Sequence, residues 1–169
     1  MTRPSSETPM SRRAMLRAAA VAGAATVLPG LGPRSARAQG TLAALGPEES
    51  VDATMKRLFA GRPIKDGASV IKIELPLIAE NGAVVPVTVD VASPMTPQSY
   101  VKSIYIISDK NRRPLNARFN LTPAMGQASV GTNLRLGEST DVRAVAELSD
   151  GTLLMARREV KVTVGGCGG

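Results

Sequence analysis

The chain has 169 residues, of which 21 are Lys or Arg and 14 are Asp or Glu, and it contains no His, no Trp and one Cys. Without His the chain cannot supply a Ser-His-Asp or Cys-His catalytic group or a His-ligated metal site. A single Cys excludes an internal disulfide, a CxxC redox pair and a four-Cys zinc site. The four aromatic residues, two Tyr and two Phe, are too few for a surface that stacks nucleic-acid bases.

The positive charge is concentrated at the N-terminus. Residues 1–38 hold six Arg and one Glu, which leaves 15 basic and 13 acidic residues in 39–169. If the first segment is removed, the remaining chain is nearly neutral. The high isoelectric point of the whole sequence therefore carries no information about partners.

Residues 1–38 have the order of features that marks an export signal. Arg12 and Arg13 lie in the stretch SRRAMLR, which resembles the twin-arginine motif. The apolar run that follows ends at Leu31, short of the roughly 20 residues that a membrane-spanning helix needs. The small residues Ala36 and Ala38 then predict cleavage after Ala38. The pattern predicts export to the periplasm without a membrane anchor, and since this route carries folded cargo, it favours export with a partner already bound.

A helix is predicted over 48–60, within an N-terminal segment spanning 39–62. Its apolar side chains have the spacing of one helical face, at Val51, Met55, Leu58 and Phe59. Pro47 before it and Gly61 after it are typical of helix boundaries.

From residue 71 onward the apolar period changes to two, which indicates β-strands. Residues 71–75 and 85–91 both alternate, and Asn81-Gly82 between them predicts a tight type I′ hairpin joining the two strands. Pro86 cannot donate a ladder hydrogen bond and predicts an edge strand or a bulge. The run 101–107 is apolar on both faces, which indicates a central strand and leaves room for an interface.

Further strands are predicted at 117–121, 130–136, 142–148 and up to Val164, with a hairpin at Asp150-Gly151 before the last. Seven short strands with regular turns are typical of an antiparallel β-sandwich. The fold class is therefore predicted to be all-β, an immunoglobulin-like sandwich over 63–164, with a short N-terminal helix and a flexible C-terminal arm over 165–169.

The arm carries the sharpest chemical signal in the sequence. It reads GGCGG and places Cys167 between glycines, at Gly165, Gly166, Gly168 and Gly169. Glycines lack packing side chains and permit many backbone conformations. An ordinary thiol has a pKa near 8.5 and needs a nearby base or cation to become a strong nucleophile, and the arm supplies neither. The pattern predicts a carrier that holds a group on Cys167, without catalysis or cofactor of its own, and presents it to enzymes that supply the reactivity.

Other functions stay open at this point. Cys167 could serve only for an intermolecular disulfide in a structural or interaction module, or could be an incidental thiol. The terminal Gly168-Gly169 could act as in ubiquitin-like sulfur carriers. An enzyme is a weaker hypothesis, because most carboxylates fall at outward strand positions or turns. The basic pairs 112–113 and 157–158 fit either docking or solubility.

The sequence resembles the SoxY family, the sulfur-carrier subunits of bacterial Sox thiosulfate oxidation. The resemblance covers the twin-arginine segment, residues 78–87 (IAENGAVVPV), residues 117–123 (ARFNLTP) and the ending 160–169 (VKVTVGGCGG). The terminal GGCGG is its most specific part.

The resemblance implies a heterodimer with SoxZ, which lacks its own signal and is exported attached to SoxY. It implies that Cys167 carries the pathway intermediates covalently. SoxAX would attach thiosulfate, SoxB would release sulfate and SoxCD would oxidise the remaining sulfane sulfur. Residues 165, 166, 168 and 169 would form the flexible arm.

Overall fold

The computed structural model describes residues 46–166. The predicted export signal with Arg12 and Arg13 lies outside the described residues, as do Cys167, Gly168 and Gly169. In the described part of the chain, no helix is long and apolar enough to cross a membrane.

The helix predicted near the N-terminus is confirmed, with shifted ends. Helix α1 spans Val51–Phe59. It begins after Ser50, whose hydroxyl accepts a hydrogen bond from the backbone N–H of Ala53 at 3.2 Å and so satisfies one of the free N–H groups of the first turn. It ends at Ala60, which adopts a positive φ of 51°, a conformation that stops helical hydrogen bonding.

Nine strands follow within the described residues, rather than the seven predicted. They are β1 (Ile64–Asp66), β2 (Ile71–Glu74), β3 (Ile78–Asn81), β4 (Val85–Val91), β5 (Val101–Ser108), β6 (Leu115–Asn120), β7 (Ala128–Leu134), β8 (Thr140–Leu148) and β9 (Leu153–Val164). A single 3-10 turn, Pro123–Met125, separates β6 from β7. The two strands that the sequence analysis missed, β1 and β3, are only three and four residues long, too short to show a clear period.

The strands form two sheets that pack face to face, which confirms the immunoglobulin-like sandwich. The larger sheet has the order β1-β9-β8-β5-β6, with β3 also paired to β9, and the smaller has the order β2-β4-β7. Strand β9 is 12 residues long, so one of its edges takes β1 at Leu153 and β3 at Lys161. These two pairings are parallel, whereas the other pairings are antiparallel.

Asn81-Gly82 does not form the predicted hairpin between β2 and β4. It ends β3, which pairs with β9 instead of β4, and neither residue has the positive φ that a type I′ turn requires. The glycine is needed for a different reason. A Cβ on Gly82 would overlap the carbonyl oxygen of Leu136, so only glycine allows the two backbones to approach so closely.

Pro86 lies in a central strand, which corrects the prediction that β4 is at an edge. Strand β7 pairs with β4 along its whole length, from Val85 to Val91. On the other side, β2 reaches only from Val91 back to Thr88. Pro86 therefore lies beyond the end of β2, where its missing N–H leaves no ladder hydrogen bond unmade.

The apolar residues form two clusters on opposite faces of the larger sheet. The main core fills the space between the sheets and includes Val89, Ile104 and Leu136, all fully buried. The second cluster lies between the larger sheet and helix α1, around Phe59 and Tyr105. Their rings meet edge to face, with centroids 5.1 Å apart. The both-face apolarity of 101–107 thus has an intramolecular cause, because α1 covers the outer face of β5.

Candidate functional site: the root of the C-terminal arm

The last two described residues of the arm, Gly165 and Gly166, lie against the body of the sandwich. Strand β9 ends at Val164, and Gly166 is buried. The structure therefore brings these two predicted arm residues together with parts of the body that are distant in the sequence. The flexibility predicted for the arm as a whole stays a prediction.

Three backbone hydrogen bonds link the end of β9, the root of the arm and two body segments. The N–H of Gly82 donates to the carbonyl of Val164 at 2.7 Å, and the N–H of Leu136 donates to the carbonyl of Gly82 at 2.7 Å. The N–H of Gly166 then donates to the carbonyl of Leu136 at 2.8 Å. All three distances are those of well-formed bonds, so the end of β9 is held on both sides of Gly165.

The fit between arm and body leaves no space for side chains. A Cβ on Gly165 would overlap the carbonyl oxygen of Gly137, and a Cβ on Gly166 would lie 2.7 Å from the Cα of Ala83. We refer to residues 82–83 and 136–137, which form the two walls around Gly165-Gly166, as the arm slot. The glycines at 165 and 166 fill it with backbone alone.

Polar side chains behind each wall hold it in place. On one side, the Oδ1 of Asn81 accepts a hydrogen bond from the N–H of Ala83 at 2.8 Å. On the other side, the Nδ2 of Asn111 donates to the carbonyl of Arg135 at 2.8 Å, and its Oδ1 accepts from the N–H of Gly137 at 3.4 Å. Asn111 is itself buried. A buried amide satisfied in this way restricts the turn that it contacts.

A serine beyond the slot ties the end of β9 to the same turn. The Oγ of Ser139 accepts a hydrogen bond from the N–H of Val162 at 2.8 Å. Two apolar residues next to the slot in the sequence, Val84 and Val164, are both largely exposed, at 59% and 61%.

A family model matches most of the chain. The model described as "Sulfur oxidation protein SoxY" matches residues 55–167, well over half of the chain. The chain belongs to the SoxY family. The matched range contains both walls of the slot and ends at the position of the single cysteine.

Solved structures agree with this assignment. The chain is 34% identical to the sulfur carrier protein SoxY from Chlorobium limicola f thiosulfatophilum, with a TM-score of 0.57 over 68% of this chain and 97% of that one. Two superoxide reductases (neelaredoxins) from Ignicoccus hospitalis, the second of them a point variant, match with TM-scores of 0.50 at 24% and 21% identity. The first covers 55% of this chain and 80% of the reductase, and the second 68% and 93%.

The likeness to the superoxide reductases shows a shared fold alone. No curated protein matches the chain. Membership of the SoxY family gives the chain a sulfur-carrier role in sulfur oxidation.

Several charged groups in the described SoxY body form ion pairs. Arg143 donates two hydrogen bonds to the carboxylate of Asp109, at 2.6 and 2.7 Å, and this contact raises the pKa of Arg143. No group of three or more His, Cys, Asp or Glu residues within 46–166 is placed to bind a metal ion.

Glu147 departs from the prediction that the carboxylates form a solvated surface. It is buried and accepts hydrogen bonds from the guanidinium of Arg62 at 3.1 Å and the hydroxyl of Tyr105 at 3.2 Å. Burial raises the pKa of Tyr105, with a further contribution from Glu147. Glu147 accepts a hydrogen bond from each of these two residues. Because Arg62 follows α1 and Tyr105 lies on β5, these bonds connect the segment after α1 to the larger sheet.

The body residues that form the slot were not predicted from the sequence. Gly82 carried a signal as part of Asn81-Gly82, but it was interpreted as a hairpin turn. Gly137 and Asn111 carried none, because a close approach between segments far apart in the sequence leaves no local period or motif.

Proposed function

We propose that this chain is a periplasmic carrier that holds thiosulfate-oxidation intermediates covalently on Cys167 and presents them to successive enzymes of a Sox system. The observation that carries the proposal is the family match, which extends to Cys167 in the middle of the arm. The root of that arm follows β9 directly and packs on the sandwich through Gly166. A thiol one residue beyond Gly166 can therefore be offered to another protein.

The chemistry that we propose for Cys167 is that of a thiol activated by its visitor. An oxidative step joins the thiol to thiosulfate: Cys–SH and S₂O₃²⁻ give Cys–S–S–SO₃⁻, one proton and two electrons. The electrons pass to a haem protein of the SoxAX type. Hydrolysis by a SoxB-type enzyme then adds water across the terminal S–S bond, releasing sulfate and leaving Cys–S–SH. A SoxCD-type enzyme would oxidise the remaining sulfane sulfur.

In this proposal the chain supplies attachment and position, and its partners supply catalysis and cofactors. An isolated thiol is only about 3% thiolate at pH 7, since its ordinary pKa is near 8.5. Such a low fraction leaves the unloaded thiol a weak nucleophile until a partner enzyme activates it. SoxZ is the expected stable partner. The features of residues 1–38, including Arg12 and Arg13, support export of the pair by the twin-arginine route.

The proposal is tested by intact-mass analysis of the protein purified from thiosulfate-oxidising cells. We expect mass increments that correspond to thiosulfonate and sulfane adducts, located at Cys167 by peptide mapping. Cys167→Ser should abolish thiosulfate-dependent turnover and leave the free energy of unfolding unchanged, because the buried apolar core of the described residues lies between Phe59 and Val160. Copurification in the same experiment reports whether a SoxZ-type partner is bound.

Two results would contradict the carrier function. One is an unmodified Cys167 during turnover. The other is a permanent disulfide-linked dimer that remains functional in that form, visible on a non-reducing gel. The second result would favour the interaction module, in which Cys167 serves only as a cross-link.

A further inference from the structure

We propose that the arm slot is a positioning device, in which residues 82–83 and 136–137 seat Gly165-Gly166 and thereby set the place from which Cys167 leaves the body. The glycines at 165 and 166 are then required for close packing rather than for freedom of motion. The slot itself is a feature of the described residues. Only the purpose that we assign to it, the placing of Cys167, rests on the proposed function.

The first argument is the overlap that side chains would cause. A Cβ on either Gly165 or Gly166 would collide with backbone atoms, namely the Gly137 carbonyl and the Cα of Ala83. Backbone cannot rotate aside as the end of a flexible side chain does. If the arm were free from Val164 onward, no such complementarity would be needed at these two positions.

The second argument is that the walls are themselves fixed. Gly82 both donates to Val164 and accepts from Leu136, so the two walls are bonded to each other as well as to the arm. Asn111 holds the second wall through its hydrogen bonds with Arg135 and Gly137. Its Nδ2 donates a further hydrogen bond to the Oδ1 of Asn116 at 2.9 Å. A seat supported by a buried polar network keeps one geometry.

The third argument concerns reach. Successive Cα atoms lie 3.8 Å apart, so a chain freed at Val164 would carry Cys167 within a radius of roughly 10 Å. A chain seated through Gly166 confines the Cα of Cys167 to about 4 Å from the slot. A visiting enzyme would then meet Cys167 at a short, fixed distance from Gly166.

Hydrogen exchange and ¹⁵N relaxation on the isolated, folded chain test the seat directly. We expect the amide of Gly166 to exchange at least about fivefold more slowly than an unprotected amide, the factor that one net hydrogen bond contributes. The heteronuclear NOE should be high through Gly166 and fall at the next residue. Free exchange at Gly166, or a fall of the NOE already at Val164, would overturn the inference.

Matched variants separate the seat from simple flexibility. Gly166→Ala should remove the protection of residue 166, whereas Gly168→Ala, which removes a glycine from the same arm beyond the slot, should retain that of Gly166. In the body, Gly82→Ala should abolish the protection. Gly131→Ala should not, because its Cβ would come no closer than 3.7 Å to another atom. If Gly166→Ala and Gly168→Ala behave alike, the slot does not position the arm.

The reactivity of Cys167 supplies a readout that a merely structural role would not change. We expect the ratio of labelling rates with a bulky maleimide and with iodoacetamide to rise about fivefold in Gly166→Ala, since the released thiol moves away from the body. The ratio should be unchanged in Gly168→Ala, and an equal ratio in wild type and Gly166→Ala would count against the seat. If the slot behaves as described but Cys167 gains no sulfur adduct during turnover, the proposed function fails and the positioning stands.

Discussion

Single residues at the start of α1 make the stability of this protein depend on pH. Glu49 is half-buried and its Oε1 accepts hydrogen bonds from the hydroxyl of Thr54 at 2.8 Å and the Nε of Arg57 at 2.9 Å. The contact with Arg57 is the main reason why the pKa of Glu49 is lowered, and the bond from Thr54 adds to it. The ionised carboxylate thus holds the first turn of the helix.

We therefore expect Glu49→Gln to flatten the acid side of the stability profile. Because the folded-state pKa lies below its ordinary value of 4.5, the contribution is fully present above pH 4.5 and is lost as the pH falls through the lowered value. Urea unfolding at pH 7 and pH 3.5 measures this. The decrease between the two pH values should be smaller in Glu49→Gln than in wild type.

The control for this change is Glu159→Gln, which neutralises an exposed carboxylate on β9. That variant should keep the wild-type pH dependence. If Glu49→Gln and wild type lose the same free energy of unfolding between the two pH values, the carboxylate does not hold the helix.

Among the elements, α1 packs on the larger sheet with one fully buried aromatic side chain and three partly buried apolar ones. Phe59 is 1% exposed and its ring lies edge to face with that of Tyr105, at an interplanar angle of 82°. Such aromatic pairs add to the stabilisation that comes from burial. The last residue of the helix therefore secures the whole element.

Phe59→Ala should destabilise the protein by about 3–5 kcal/mol, since it removes a fully buried ring and leaves a cavity. Urea unfolding followed by far-UV circular dichroism measures the change. The neighbouring Leu58→Ala removes a half-buried side chain from the same turn and should cost less. Equal losses for the two variants would show that Phe59 does not anchor the helix to β5.

Element types were predictable from the sequence wherever a period extended over several residues. The alternation at 85–91 identified β4, and the spacing from Val51 to Phe59 identified α1. Partner choice was not predictable in the same way. Asn81-Gly82 matched a local rule for hairpins, but β3 gains its hydrogen bonds from β9, some 80 residues later in the chain. The same long-range pairing built the slot, so the slot was also missed.

At the scale of the molecule, three layers share one central sheet. The smaller sheet covers one face of the larger sheet, and α1 covers part of the other. The apolar side chains on both faces of β5 correctly indicated a buried strand. The sequence did not show whether a helix of the same chain or a second protein covers the outer face. Helix α1 covers this face. The area of the larger sheet that is left for a partner protein is therefore smaller.

This layering predicts how the protein responds to shortening from its N-terminus. The buried apolar residues of both clusters lie between Phe59 and Val160. The free energy of unfolding of a chain that begins at Gln39 should therefore differ from that of the full chain by no more than about 0.5 kcal/mol, the range typical of changes outside the core. A chain that begins at Pro63 lacks α1 and exposes the cluster around Tyr105, and it should lose at least as much stability as Phe59→Ala. Urea unfolding of the three chains measures these differences. A large loss of stability in the chain that begins at Gln39 would mean that residues 1–38 belong to the folded body. No loss of stability in the chain that begins at Pro63 would mean that α1 is not a layer of that body.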